Sequence, residues 1–80
     1  MLETKINISE IDPGIALEMI AIPNKNANLD FNHCRIRIIN RLSDSVFLVK
    51  VLSGDHKGKE INIDLLNATN WEFRIIEWDD

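Results

Sequence analysis

Apolar and polar residues alternate along most of this chain with a period of two, the signature of strands with one buried face. In residues 34–41 Ile36 and Ile38 point one way, while Arg35, Arg37 and Ile39 point the other. In residues 46–52 Phe47, Val49 and Val51 alternate with Val46, Leu48 and Leu52, and only Lys50 breaks an otherwise apolar run. A strand apolar on both faces belongs inside a sheet with cover on each side, or in a small closed barrel. Ile61, Ile63 and Leu65 alternate with Glu60, Asn62 and Asp64, giving a strand with one wet face. Trp71, Phe73 and Ile75 share one face of a last strand; Glu72, Arg74, Ile76 and Trp78 share the other. Residues 15–22 contain good helix formers, but Gly14 and Pro23 confine them to eight positions, and a strand is the preferred reading. Ile6, Asn7 and Ile8 fit a short edge strand.

Turn chemistry separates these runs. Asp12-Pro13-Gly14 presets φ at the proline and frees it at the glycine. Residues 23–32 are rich in Asn and form a long polar loop, from which Leu29 and Phe31 are expected to fold back as plugs over the core. Phe31 also has a second role open to it, as an exposed contact. Asp44 and Ser45 suit a short turn, and residues 53–58 hold two glycines between apolar strands, as tight hairpins often require. A single helical turn fits residues 65–70. The expected core is Leu17, Met19, Ile36, Ile38, Phe47, Val49, Val51, Ile61, Ile63, Leu65, Trp71, Phe73 and Ile75.

Residues 49–63, VKVLSGDHKGKEINI, resemble the KOW motif of ribosomal and transcription-elongation SH3-like barrels. Val49, Val51, Gly54, Lys57, Gly58 and Ile63 match its spacing. A further glycine of the pattern falls on Ile61, and the glycine before the first valine is missing. The match covers about a fifth of the chain, and turn chemistry alone also places Gly-Lys-Gly between strands. The resemblance implies an SH3-like barrel and an association with nucleic acid, the ribosome or transcription. With the periodicity it leads to one small all-β domain over residues 1–80. A five-stranded SH3-like barrel is the expected form, with an OB-like barrel or an open antiparallel sheet as the alternative.

Charge adds a layout that periodicity does not show. The chain of 80 residues has a formal net charge of −4. Residues 1–32 and 61–80 are acidic, while residues 33–60 carry six Lys or Arg against three acids. An acidic protein is a poor candidate for strong non-specific DNA binding, although a local basic face can still meet nucleic acid or an acidic partner. No apolar run is long enough to span a bilayer, and residues 1–5 are mixed in charge, so a soluble cytoplasmic protein without membrane contact is expected. Cys34 is the only cysteine, so no internal disulfide can form.

Candidate chemistry is sparse. His33 and Cys34 are neighbours, so on a strand they point to opposite faces and make no nucleophile–base pair. With His56 in a turn they match no zinc spacing. Neither catalysis nor a cofactor is expected. Two surfaces remain. Arg35, Arg37 and Lys50 on paired strands, with Lys57 and Lys59 in the adjoining turn, could contact phosphates or carboxylates. Trp78 and Ile76, outward on the last strand, and Phe31 are the partner-binding candidates. The favoured function is a non-catalytic adaptor that docks on a larger protein or complex. A KOW-like module that binds RNA is the first alternative, and an acidic inhibitor or mimic using the charged ends is the second. Oligomeric state is open, because a strand edge near Lys5 and Ile8 could pair with a second copy.

Overall fold

A computed structural model describes residues 8–23 and 25–78. Five strands form: β1 (Ala16–Ala21), β2 (Arg35–Arg41), β3 (Val46–Val51), β4 (Glu60–Asp64) and β5 (Trp71–Ile76). All neighbours are antiparallel, and the order across the sheet is β4-β3-β2-β1-β5. The expected all-β architecture with five strands is therefore present. Its form is the open antiparallel sheet rather than the closed barrel. Closure requires a ladder between β4 and β5, and these two strands lie at opposite ends of the sheet. The proposed edge strand around Ile6 lies outside the described residues, except that Ile8 opens a 3-10 turn, Ile8–Glu10.

Registers carry the predicted alternation across the strands. Leu17 pairs with Ile36 and Ile36 with Val51; Ile38 pairs with Val49 and Val49 with Ile61; Phe47 pairs with Ile63. Directly opposed residues share a face, so these side chains meet as one apolar layer. Leu17, Ile36, Phe47, Val49 and Val51 are wholly buried, and Ile8, Ile15, Phe31, Ile61, Leu65, Trp71 and Phe73 pack against the buried set.

Three expectations about the core change. Ile75 shares the core face through its register with Leu17, yet it is 57% exposed, because β5 is an edge and nothing described lies beyond it. Leu29 is exposed rather than a plug; it opens a 3-10 turn, Leu29–Phe31, that Asn28 caps by accepting from the Asp30 N–H. Ile11 and Cys34 join the core instead. β2 also departs from simple alternation. A register shift between Ile38 and Asn40 marks a bulge at Ile39, and it places Arg41 opposite Phe47 on the core face. The Arg41 guanidinium lies 4.6 Å over the Phe47 ring and donates to the carbonyls of Ile8, Ile11 and Asp44.

The β3–β4 connection is longer than a two-residue hairpin. Gly54 and Gly58 have φ of 83° and 92°, in the left-handed region that favours glycine. Gly58 and Val51 share the bond that closes the loop, the Gly58 N–H donating to the Val51 carbonyl at 2.8 Å. Residues 65–70 form turns rather than a helix. Asp64 organises them by accepting from the backbone N–H groups of Leu66 and Asn67. Hydrogen bonds from the Asn67 and Ser45 side chains hold its carboxyl below the usual range.

Candidate functional site on the outer sheet face

The face opposite the core is set by the same registers. One row crosses the sheet as Ile76, Ala16, Arg37, Lys50 and Glu60, and the next as Arg74, Glu18 and Arg35. Period-two alternation in β1 puts Ala16 and Glu18 here, opposite the apolar Leu17 and Met19. The arginines of β2 and β5 then flank Glu18 from both sides.

Glu18 is 4% exposed and is the buried charged residue of the described chain. Arg74 donates through Nη2 to its Oε1, and His33 Nδ1 lies 3.2 Å from its Oε2. Burial pushes the Glu18 carboxyl up. The bonds from Arg74 and His33, with the charges of Arg74 and Arg35, outweigh this and hold it below the usual carboxylate range. His33 reaches it from a left-handed backbone position, φ 62°, beside the junction where the Met19 N–H donates to the Cys34 carbonyl.

The chain beyond β5 returns to this face. Arg35 places its guanidinium 5.4 Å from the Trp78 ring centroid, and Arg37 Nη2 donates to the Trp78 carbonyl at 3.3 Å. Arg37 Nη1 donates to the Gly14 carbonyl at 2.9 Å. β1 separates β5 from β2, so Trp78 must cross the outer side of β1 to meet these arginines. The two surfaces read separately in the sequence, the basic face and the terminal aromatic, are thus one surface. Ile76 belongs to it through its register with Ala16.

The remaining candidates lie elsewhere. Lys50 is exposed on the same face, opposite Glu60. Lys57 and Lys59 are exposed in the β3–β4 turn, with Lys59 Nζ 3.4 Å from His56 Nδ1. His56 stacks on Phe31, with centroids 4.6 Å apart and planes within 9°. Phe31 itself packs against the core, so it is not grouped with Trp78 and Ile76. Cys34 is buried, and its thiol donates to the Ser53 carbonyl at 3.1 Å. Burial pushes that thiol up, so it is a poor nucleophile at neutral pH. Among the described residues no group of three or more His, Cys, Asp or Glu is placed to hold a metal ion, and no helix is long and apolar enough to cross a membrane.

The centre of the site, Glu18 with Arg74 and His33, was not singled out from sequence. Its signal was present: Glu18 is the one charged residue in residues 15–22, on the parity that faces Arg35 and Arg74 once the strands align. A scan against protein-family models finds no match to the chain, and searches of curated proteins and of solved structures find none either.

Proposed function

We propose that this protein is a non-catalytic binding module that docks on a larger protein or complex through its outer sheet face. The observation that carries this reading is the seating of Trp78 against Arg35 and Arg37 beside Ile76. A terminal tryptophan held on a sheet has already given up much of the freedom that binding would otherwise remove. Trp and Arg are the residues most enriched at the energetic centres of interfaces. The exposed Lys50 on the same face suits a partner that presents a carboxylate beside an apolar side chain. The reading places the protein in the cytoplasm, where a free buried thiol such as Cys34 is ordinary.

The test is capture of partners from the native extract, in nuclease-treated and untreated halves, followed by binding measurements on the purified partner. Trp78→Ala is expected to weaken binding by about thirtyfold or more, the scale of a hot-spot truncation, while the circular dichroism stays that of the parent. Unchanged affinity in both Trp78→Ala and Ile76→Ala sinks the reading.

A second reading follows the KOW resemblance. Lys50, Lys57 and Lys59 are exposed and suit phosphate contacts with RNA. Weighing against it, the side chain of Arg37 is committed to two carbonyls and Arg35 to Trp78. RNA binding that falls steeply with salt and is lost on replacing Lys57 and Lys59 would move the assignment to this reading.

A further inference from the structure

The edge of β5 has a polarity that the ladder itself reveals. The Ile22 N–H donates to the Asn70 carbonyl at 3.1 Å, which makes these two a hydrogen-bonded pair in the register of β1 and β5. Antiparallel ladders alternate hydrogen-bonded and non-bonded pairs. Glu72, Arg74 and Ile76 therefore aim their backbone groups at β1, while Trp71, Phe73 and Ile75 aim theirs outward. The Trp71 N–H is taken by the Ala68 carbonyl, at 3.1 Å. The N–H groups of Phe73 and Ile75 and the carbonyls of Trp71, Phe73 and Ile75 face out from a strand with no described neighbour on that side. The same edge leaves Ile75 57% exposed next to fully buried Leu17.

We propose that this edge pairs with β5 of a second copy, antiparallel and two-fold symmetric about Phe73. The side chains select that register. Centring on Phe73 sets Glu72 opposite Arg74 of the second copy, twice, and Trp71 opposite Ile75, twice. Moving the centre by one residue keeps the faces matched but sets Glu72 opposite Glu72 or Arg74 opposite Arg74; moving it by two, to Trp71 or Ile75, loses the Glu72–Arg74 pairs and shortens the ladder. Opposite charges directly across a ladder stabilise it and like charges oppose it. The backbone agrees: in the Phe73-centred register all outward residues meet outward residues. Phe73 N–H groups donate reciprocally to Phe73 carbonyls, and Ile75 N–H groups donate to Trp71 carbonyls.

Arg74 can serve both contacts, since its side chain is 65% exposed while it holds Glu18. The pairing extends one five-stranded sheet into the next, covers Ile75 with an indole, and closes on itself, because a two-fold contact uses the same patch on both copies. A single short strand buries less than the roughly 1,600 Å² of a standard stable interface, so the dimer is a reversible, concentration-dependent one.

Sedimentation equilibrium of the full chain, with amide hydrogen exchange at low and high protein concentration, tests this. The expected result is a reversible monomer–dimer equilibrium in which exchange at Phe73 and Ile75 slows with concentration. Glu72 and Arg74 should not respond, because their N–H groups already bond β1. Glu72→Arg sets like charges opposite each other at two places and should weaken the dimer by about tenfold or more. Ile75→Lys should do the same, and both positions are exposed, so the fold tolerates the changes. A chain that stays monomeric to millimolar concentration overturns the proposal. So does a dimer indifferent to both substitutions, or one whose concentration-dependent protection lies away from Phe73 and Ile75.

Discussion

Phe47→Ala is expected to lower the unfolding free energy by about 3–5 kcal/mol, the range for deleting a buried aromatic ring. Phe47 is wholly buried and lies between Arg41 on β2 and Ile63 on β4 in the register of the sheet. Its loss therefore opens a cavity at the junction of three strands. It also removes the surface on which the Arg41 guanidinium rests, and Arg41 is what ties the carbonyls of Ile8 and Ile11 to the sheet. A domain of this size has a total stability of only about 4–12 kcal/mol, so the substitution removes a large fraction of it. Urea titration followed by tryptophan fluorescence checks this. Phe47→Leu keeps most of the apolar volume and should recover more than half of the loss. A Phe47→Ala midpoint within error of the parent would mean that the core is not centred on this ring.

The second large effect is electrostatic. Glu18→Gln keeps the shape of the side chain and removes its charge, leaving Arg74, Arg35 and His33 clustered without their anion. The expected cost at neutral pH is about 1–3 kcal/mol, the scale of a lost charge-assisted hydrogen bond at a buried acceptor; the exposure of the Arg74 and His33 side chains, 65% each, favours the lower part of that range. The pH dependence identifies the cause. A carboxyl held below its ordinary value of 4.5 contributes stability that is fully present above that value. The contribution is lost as pH falls through the lower folded value, where the native carboxylate takes up its proton. The gap between parent and Glu18→Gln should thus be widest at neutral pH and close in acid. A gap constant from neutral pH into acid would show that Glu18 matters through packing and not through charge.

These two residues also show what could be read before the fold was known. Phe47 stands in a period-two run with Val49 and Val51, and burial of that face follows from the alternation alone, because a strand turns every second side chain the same way. The same logic located β2 to β5 and placed Arg35, Arg37 and Lys50 on one face, while Gly14 and Pro23 bounded β1. Glu18 is the opposite case. Its alternation says that it faces away from Leu17, but not that it is buried or what its partners are. Those depend on the register of β1 against β2 and β5, and on residues 56 and 15 positions away in the chain.

Arg41 is a further example. Simple alternation keeps it with Arg35 and Arg37, and the bulge at Ile39 sends it to the core face over Phe47. A bulge costs one unpaired residue and leaves no mark in a pattern of apolar and polar letters. Trp78 reads as an outward residue near the end of the chain, and only the return of the chain across β1 sets it on Arg35.

The sequence by itself determined the five strands, the face on which each is apolar, and the segregation of basic residues to the middle of the chain. These are local consequences of side-chain polarity and a two-residue repeat. Tertiary structure alone decided that the sheet stays open, that Ile75 is exposed beside a filled core, and that Glu18, Arg35, Arg74 and Trp78 form one surface. Such features depend on which strands become neighbours and in what register. Contacts between residues far apart in the chain set them, and no local pattern encodes those contacts.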